Sequence, residues 1–597
     1  MRKIINKITL FIALFMCNSA FADTSTLTFT GKCNGTGTAD DGVVWTITSN
    51  GPESSYDSGK GIHFGTTNSG GEVSYVRLTT NGISGTITQV KVNACGNTTY
   101  ATNVQVTVGS TVFYWNTNTQ AYLANSPANA IFTGSASGNI LVSITQNSAK
   151  SPIYCKSIEV TYTADLVVQD GKTKTISSPQ SLEDLTIEEG GRIILSDKKL
   201  TVNGDFVIKT SMGSGKSGQL VGATNTNFEV NGNTYIDFTL GDDGNAAKWH
   251  AFTVPFPVDA LHGIYDLDGN QLTNEVHYAI MDYHGDVRAN GQYGWKKFTG
   301  TMVPGTFYLM TVDGLRATYR MKAAGDVFTT ADKDFQYYIG SGVTTDFGWN
   351  GLGNPTLEYH KVGYPVQVLN PISYVFETKL ANACNFIVGT PFFYQASANG
   401  SMSMLTADAV ADYAPQRTNT IEPNQATIAF GNDDYTDYLY LSTDVDASDS
   451  YEIGKDLEKM SISSQPTVAQ IVGKAYSTSL CMINVPLSNN QATFALSLYA
   501  PENGTYTITA QDITDADIYL TQNGTVVQDI TSQSAQLLLS KGENNQYGLL
   551  LVAEHPLTTD TEEVNGTQTA QKIIIDNHLF ILRAEKLYDS IGRMVRK

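Results

Sequence analysis

The residues of this sequence that could best form a binding surface are aromatic. Phe, Trp and Tyr make up 10% of the chain, and Tyr alone occurs 31 times. Flat rings can stack on the apolar C–H faces of sugars, while short polar side chains beside them bind hydroxyl groups. The candidate ligand-binding residues are Trp45, Tyr114 and Trp115, with core packing as the alternative role of each. Because successive side chains of a strand point to opposite faces, we expect one of Tyr114 and Trp115 to be exposed and the other buried.

Common catalytic and nucleotide-binding motifs are incomplete in this sequence. The closest match to G-x-S-x-G is at residues 134–138, where Ala136 takes the place of the nucleophile. Residues 210–217 resemble a phosphate-binding loop, but Thr210 replaces the first Gly and no helix-forming run follows. There is no H-E-x-x-H motif for zinc. We therefore expect the chain not to be an enzyme, although a carboxylate pair for glycoside hydrolysis would leave no such motif.

Two adjacent acidic residues are the candidate metal ligands. Calcium takes carboxylate and carbonyl oxygens, and Asp40 and Asp41 lie in a loop of the first predicted domain. A structural calcium is thus an option at this loop, and we expect no other cofactor. Cysteines show no C-x-x-C spacing, which argues against zinc and thioredoxin-like chemistry. Cys33 and Cys155 flank the first domain, so they are either a disulfide or two buried thiols.

Composition and charge exclude several classes of protein. The chain has 597 residues, with 57 acidic and 37 basic side chains and a formal net charge of -20. An acidic chain repels phosphate backbones, so we expect no nucleic-acid partner. Apolar residues make up 41% of the chain, enough to fill cores and to exclude general disorder. At about 100–200 residues per domain, the length predicts three to six domains.

The N-terminal segment has the pattern of a signal peptide. A basic stretch precedes the apolar run of residues 8–16, and Ala20 and Ala22 form an A-x-A cleavage site. The run is too short to span a bilayer. We therefore predict cleavage after Ala22 and export to the cell surface or medium.

Short strands with period-two alternation, separated by turns rich in Gly and Asn, predict an all-β fold. We expect an N-terminal jelly-roll-like sandwich, a short β-solenoid-like segment and further antiparallel β-sandwich domains. For residues 165–240 a meander of hairpins is the alternative, because Asn-Gly also favours hairpin turns. The predicted regions are a signal peptide (1–22), a possible carbohydrate-binding sandwich (23–164), the solenoid-like segment (165–240), an aromatic-rich β domain (241–435), a sandwich (436–555), a linker (556–571) and a C-terminal motif (572–597).

Three stretches resemble parts of secreted surface proteins of the Bacteroidota. Residues 588–595, YDSIGRMV, are similar to the end of the C-terminal sorting domains of type IX secretion substrates. Residues 184–205, with the later Trp249 and Gly353-Asn354-Pro355 segments, look like a module of large surface proteins from this phylum. Residues 27–45 are similar to β-sandwich modules attached to such proteins. The resemblance implies an exported, surface-associated, adhesin-like protein that meets the secretion machinery through its C-terminus, and it brings no catalytic residue.

These observations favour a secreted or surface-anchored, non-catalytic adhesin that binds a glycan or another host or cell-surface ligand. Flat sheet faces rich in Thr, Asn and Tyr can hold an extended ligand through several weak contacts. One alternative is a secreted, glycosidase-like hydrolase with accessory sandwiches. The other is a structural component of the cell envelope, including association with the outer-membrane surface.

Overall fold

The structure is a computed structural model of the chain. It describes residues 23–553 and 571–596, except for gaps at 67, 98–101, 147, 149–150, 241–247, 329–331, 383–384, 407–424, 445–446, 462–465, 576–577, 584–585 and 590–593. The predicted signal peptide, Cys384, most of the linker and part of the C-terminal motif lie outside the described residues. The chain folds into two compact units, 1–420 with 459–467, and 421–458 with 468–597.

The all-β prediction is confirmed. The described residues contain a single α-helix, α1 (Gly285–Arg288), and a 3-10 turn at Thr344–Asp346. None of the described helices has the length and apolar character needed to cross a membrane.

Two sheets form a sandwich at the start of the first unit. Its strands are β1 (Asp23–Thr28), β2 (Thr36–Thr38), β3 (Val44–Ser49), β4 (Glu53–Asp57), β5 (Gly61–Phe64), β6 (Tyr75–Thr80), β7 (Thr86–Cys95), β8 (Thr102–Val108), β9 (Thr111–Val112), β10 (Tyr114–Trp115), β11 (Ala121–Leu123), β12 (Ala128–Ala136), β13 (Ile140–Gln146) and β14 (Ile153–Thr163). The first sheet has the order β10-β12-β7-β14-β5-β4, with β1 on β14. The second sheet has the order β11-β8-β13-β6-β3-β2, with β9 on β8.

Alternation along the strands explains why these two sheets pack together. In β8, Val104, Val106 and Val108 are buried, whereas Asn103, Gln105 and Thr107 are partly exposed on the other face. The apolar faces of both sheets enclose one core, and the polar faces point outward.

Residues 165–240 form three parallel sheets of stacked short strands, which is the arrangement of a β-solenoid. The strands are β15 (Leu166–Val168), β16 (Thr173–Ile176), β17 (Gln180–Leu182), β18 (Leu185–Ile187), β19 (Arg192–Leu195), β20 (Leu200–Val202), β21 (Phe206–Ser211), β22 (Lys216–Ser217), β23 (Gln219–Val221), β24 (Phe228–Val230) and β25 (Thr234–Thr239). Leu185 of β18, for example, lies in register between Leu166 and Phe206 of the neighbouring coils. Each coil therefore completes the core of the next.

The rest of the first unit consists of small antiparallel sheets, which in part extend the solenoid core and in part enclose a separate core around Phe392. Its strands are β26 (His250–Phe252), β27 (Val258–Asp259), β28 (Ile264–Tyr265), β29 (Tyr278–Tyr283), β30 (Trp295–Phe298), β31 (Thr301–Met302), β32 (Tyr308–Val312), β33 (Thr318–Lys322), β34 (Asp332–Phe335), β35 (Trp349–Gly353), β36 (His360–Lys361), β37 (Val366–Leu369), β38 (Phe376–Lys379), β39 (Pro391–Gln395), β40 (Gly400–Ser403) and β41 (Leu405–Thr406). β33 pairs antiparallel with the last solenoid strand, β25. Trp295 and Trp349 are buried against Phe393, so these aromatic residues serve packing.

The second unit contains one large mixed sheet and a small C-terminal sheet. Its strands are β42 (Gln425–Gly431), β43 (Thr436–Thr443), β44 (Leu457–Glu458), β45 (Gln470–Ala475), β46 (Thr478–Val485), β47 (Gln491–Ala500), β48 (Gly504–Thr514), β49 (Ala516–Gln522), β50 (Thr525–Asp529), β51 (Ala535–Leu539), β52 (Gly542–Asn544), β53 (Tyr547–Ala553), β54 (Gln571–Ile575), β55 (His578–Arg583), β56 (Lys586–Asp589) and β57 (Met594–Arg596). β42 pairs with β43, so this domain begins before the predicted boundary at residue 436. β54 to β57 form an antiparallel sheet in sequence order.

Candidate functional site

The three aromatic candidates lie in the first sandwich in very different surroundings. Trp45 is 1% exposed and belongs to the core, so its ring cannot stack on a ligand, and the predicted binding role is wrong. Trp115 is partly buried and packs against the same core, opposite the buried Phe132. Tyr114 points outward and is 49% exposed. Of the adjacent pair, Tyr114 is therefore the exposed ring.

The outer face of the first sheet, which we call the Tyr114 face, is polar and has paired side chains in two of its cross-strand rows. Lys91 Nζ lies 2.9 Å from Glu159 Oε2 across neighbouring strands. Asn93 Nδ2 donates to Asn129 Oδ1 at 2.8 Å. Tyr114 stands at one edge of this face, opposite Thr133. Polar atoms already bonded to each other must break those bonds to hold a ligand, so the two rows that contain these pairs are poor binding surfaces. In the row of Tyr114, by contrast, Thr133 and Gln89 make no side-chain hydrogen bond within the described part of the chain.

The outer face of the second sheet, which we call the Tyr122 face, combines aromatic and polar groups in cross-strand rows. One row runs across four strands and contains, in order, Tyr122, Asn103, Thr145 and Tyr75. The next row contains Gln105, Ser143, Arg77 and Thr48. Tyr122 is 61% exposed. Neighbouring strands lie about 4.8 Å apart, so the Cα atoms of Tyr122 and Tyr75 are about 14 Å apart.

The polar side chains of the Tyr122 face remain available to a ligand. Within the described part of the chain, Asn103, Gln105, Ser143 and Thr145 make no side-chain hydrogen bond. Asn103 Oδ1 is also buried from solvent without a partner. An atom that solvent cannot reach is also out of reach of a ligand on the sheet surface, so Asn103 Oδ1 does not add to the hydrogen-bonding capacity of this face.

Arg77 supplies the only charge in the two rows. Its guanidinium carbon lies 4.8 Å from the centroid of the Tyr75 ring, a cation–π contact along one strand. Arg77 itself is exposed, whereas Tyr75 is partly buried. The contact holds both side chains on the surface in a defined arrangement, which lowers the entropy lost when a ligand binds.

A second group of polar residues lies at the far edge of the first sheet. His63 stacks on Tyr154 with centroids 4.6 Å apart, and His63 Nδ1 lies 2.9 Å from Ser55 Oγ. Burial lowers the pKa of His63 from its ordinary value, so the imidazole is neutral at neutral pH. Asp57 accepts hydrogen bonds from the backbone N–H groups of Gly59 and Lys60. Its carboxylate thus stabilises the β4–β5 turn, and its hydrogen bonds do not orient the imidazole as a catalytic triad requires.

The candidate calcium ligands serve the local backbone. Asp40 Oδ1 accepts from the N–H of Thr26 at 2.7 Å, and Asp41 Oδ1 accepts from Ser25 Oγ at 3.0 Å and from the N–H of Val43 at 3.1 Å. Calcium requires six to eight oxygen ligands. No group of three or more His, Cys, Asp or Glu suited to a metal occurs among the described residues. Both carboxylates therefore stabilise the local chain through these hydrogen bonds.

The cysteines of the first sandwich are thiols. Cys33 and Cys155 are both free thiols, so the alternative of a disulfide between them is wrong. Burial raises the pKa of Cys155 to about 12 and that of Cys95 to about 11. Such thiols are protonated at neutral pH and poorly nucleophilic, which is expected of packing residues.

Sequence reasoning missed Tyr122, Tyr75, Asn103 and Arg77. Period-two alternation within each strand places them on the outer face, as the burial pattern of β8 illustrates. The order of the strands, which brings the four residues together, comes from long-range pairing and leaves no local signal.

Comparisons with known proteins give only distant likenesses. No family profile and no curated protein matches the chain. Among solved structures, the CBM36-1 domain of a multidomain xylanase from the hindgut metagenome of Trinervitermes trinervoides is 16% identical, with a TM-score of 0.13, over 19% of this chain and 95% of that one. A carbohydrate-binding module CBM36 in complex with calcium and xylotriose is 15% identical, with a TM-score of 0.13, over 19% of this chain and 98% of that one. The catalytic domain of a GH87 alpha-1,3-glucanase in complex with nigerose is 9% identical, with a TM-score of 0.13, over 32% of this chain and 50% of that one.

Proposed function

We propose that this chain is an exported, non-catalytic glycan-binding protein, and that the Tyr122 face holds an extended sugar chain. The row of Tyr122, Asn103, Thr145 and Tyr75 carries the proposal. An exposed ring offers a stacking surface, and the amide and hydroxyl groups beside it can exchange hydrogen bonds with sugar hydroxyls. The ligand would replace water on a face whose polar side chains are not bonded to one another.

The geometry favours an extended, multivalent contact. The face is an open sheet surface, so no single position can surround a sugar ring. Affinity would then come from several adjacent weak contacts along the row, as in linked binding sites. A repeating polymer suits such a surface better than a single small molecule, since it supplies the same groups at regular intervals.

The two ends of the sequence support the part of the proposal that concerns export and surface association. The basic and apolar segments with Ala20 and Ala22 support secretion. The YDSIGRMV segment supports recognition by a sorting machinery at the C-terminus. A secreted chain that holds glycans without cleaving them would act as an adhesin, attaching cells to host or environmental polysaccharide.

Native affinity electrophoresis of the whole secreted chain tests the proposal. The wild type is run through gels that each contain one polysaccharide, beside Tyr122→Ala and Tyr114→Ala. We expect at least one polysaccharide to retard the wild type and Tyr114→Ala, and to retard Tyr122→Ala much less. The same polysaccharide should release no reducing ends on long incubation. Equal retardation of all three proteins, or no retardation by any polysaccharide, would contradict the proposal, and sugar release would contradict its non-catalytic part.

A further inference from the structure

Arg77 is the one charged residue in the two central rows of the Tyr122 face. Its cross-strand neighbours are Ser143 on β13 and Thr48 on β3. Along its own strand, Tyr75 and Thr79 occupy the same face. A carboxylate is absent from these positions, so a positive charge stands among neutral polar groups.

The cation of Arg77 has no acidic partner in the described part of the chain. Arg320 bonds Asp237 through two nitrogens at 2.7 and 2.8 Å and Arg316 bonds Asp313 at 2.8 Å. Arg192, like Arg77, has no acidic partner among the described residues. On the opposite face of the same sandwich, Lys91 is neutralised by Glu159. Exposed lysines such as Lys172 and Lys174 also have no acidic partner among the described residues. Arg77 differs from them in its position, since it lies beside Tyr75 and the polar side chains of the two rows, which could bind the same external anion.

Resting on the proposed function, we infer that the glycan of the Tyr122 face is anionic and that Arg77 binds its carboxylate or sulfate group. A guanidinium presents several N–H donors in a planar fork, which matches the paired oxygens of a carboxylate or sulfate. The guanidinium carbon lies 4.8 Å from the centroid of the Tyr75 ring, and this contact restricts where the guanidinium can lie on the face. Ser143 and Thr48 stand on either side, so their hydroxyl groups can donate to further oxygens of the same anion.

The sugar ring and its charged substituent would be recognised by different parts of the face. Tyr122 stacks on one sugar ring of the polysaccharide, and Arg77 binds the charged substituent of another ring. The face therefore selects an acidic polysaccharide over its neutral counterpart with the same backbone. Uronic acids supply a carboxylate and sulfated sugars supply a sulfate ester, and each group offers two oxygens that the guanidinium of Arg77 can bind together.

Isothermal titration of the whole secreted chain with two matched pairs of polymers tests this inference. The first pair is polygalacturonate and its methyl ester, and the second is a sulfated galactan and the same galactan after desulfation. We expect the charged member of at least one pair to bind about tenfold more tightly than its neutral partner. The pair that shows the preference identifies carboxylate or sulfate as the anion.

Two variants complete the experiment. Arg77→Gln should reduce the preference to less than about twofold, whereas Lys91→Gln removes the same charge from the opposite face and should leave the preference intact. Equal affinity of the wild type for charged and neutral members of both pairs would overturn the inference, as would a preference that persists in Arg77→Gln. If neutral polymers bind equally well and Tyr122→Ala abolishes that binding, the proposed function stands and only the anionic specificity is lost. If no polymer binds the wild type and the native gels also show no retardation, both proposals are overturned.

Discussion

Tyr122 and Tyr75 lie in one cross-strand row on the outer face of the second sheet, separated by Asn103 and Thr145. Four strands contribute one residue each, so the two aromatic residues are held about 14 Å apart by the sheet itself. A single sugar ring cannot touch both. Only a ligand longer than one sugar can therefore contact both rings, and this leads to a first prediction.

Binding should depend on the length of the oligosaccharide. A monosaccharide reaches Tyr122 or Tyr75 alone, whereas a chain of several sugars contacts the whole row, and the linked contacts act together. We expect affinity to rise steeply from monosaccharide to tetrasaccharide and to level off beyond the length of the face. Titration with a purified ladder of oligosaccharides measures this. A monosaccharide that binds as tightly as the tetrasaccharide would contradict a row-shaped site.

Trp115→Ala should destabilise the first sandwich without acting on a ligand site directly. Trp115 packs against the core beside Phe132, so truncation removes apolar contacts and leaves space, at a cost of about 1–3 kcal/mol. Tyr114→Ala is the matched control on the same strand, because its ring points outward and should cost little. Urea-dependent proteolysis, with cleavage sites within 23–164 assigned by mass spectrometry, gives the two stabilities. If Trp115→Ala keeps full stability but no longer retains glycan, the packing role is contradicted and Trp115 contacts the ligand.

The contrast between Trp45 and Tyr122 illustrates what local sequence can and cannot provide. Alternation in β3 places Trp45 on the same face as Ile47, and that face is the core, so the residues around Trp45 already carried the signal for burial. The all-β class was likewise predictable, since it follows from short-range periodicity and turn residues. For residues 165–240 the same local signals fitted both stacked parallel coils and a meander of hairpins, and the pairing of strands from different coils decides between them. The neighbours of Tyr122 were not, because β11, β8, β13 and β6 meet in an order that differs from their order in the sequence. A binding surface built across strands depends on that order.

Stability of the first sandwich should fall as the pH falls through about 6.5. Burial lowers the pKa of His63 from its ordinary value of 6.5, with Lys60 acting in the same direction and Asp57 opposing. The unfolded chain therefore takes up a proton on this histidine at a higher pH than the folded chain does. The contribution of neutral His63 to the free energy of unfolding is fully present above about pH 6.5 and is lost as the pH falls below that value. Proteolysis in urea at a series of pH values between neutral and mildly acidic measures the slope. His63→Gln should flatten it, and an unchanged slope in that variant would assign the effect to other groups.

Removing residues 571–597 should prevent surface display. These residues include the small sheet β54 to β57 and the YDSIGRMV segment, which we propose as the sorting signal, so the truncation removes the proposed signal as a unit. In a host with type IX secretion, we expect the truncated protein to be retained in the periplasm while the full chain reaches the surface. Cell fractionation and antibody labelling of intact cells distinguish the two places. Normal labelling of cells that produce the truncated chain would refute the sorting role.

The dissociation constant of the chain for the polysaccharide that retards it in native gels is the most direct measure of the Tyr122 face. Isothermal titration would compare wild type, Tyr122→Ala and Tyr114→Ala, two truncations of exposed tyrosines on opposite faces of one sandwich. We predict that Tyr122→Ala weakens binding by about tenfold or more, equivalent to about 1.4 kcal/mol, and that Tyr114→Ala leaves it within about twofold of wild type. The reverse order, or equal affinity of all three proteins, would contradict the account.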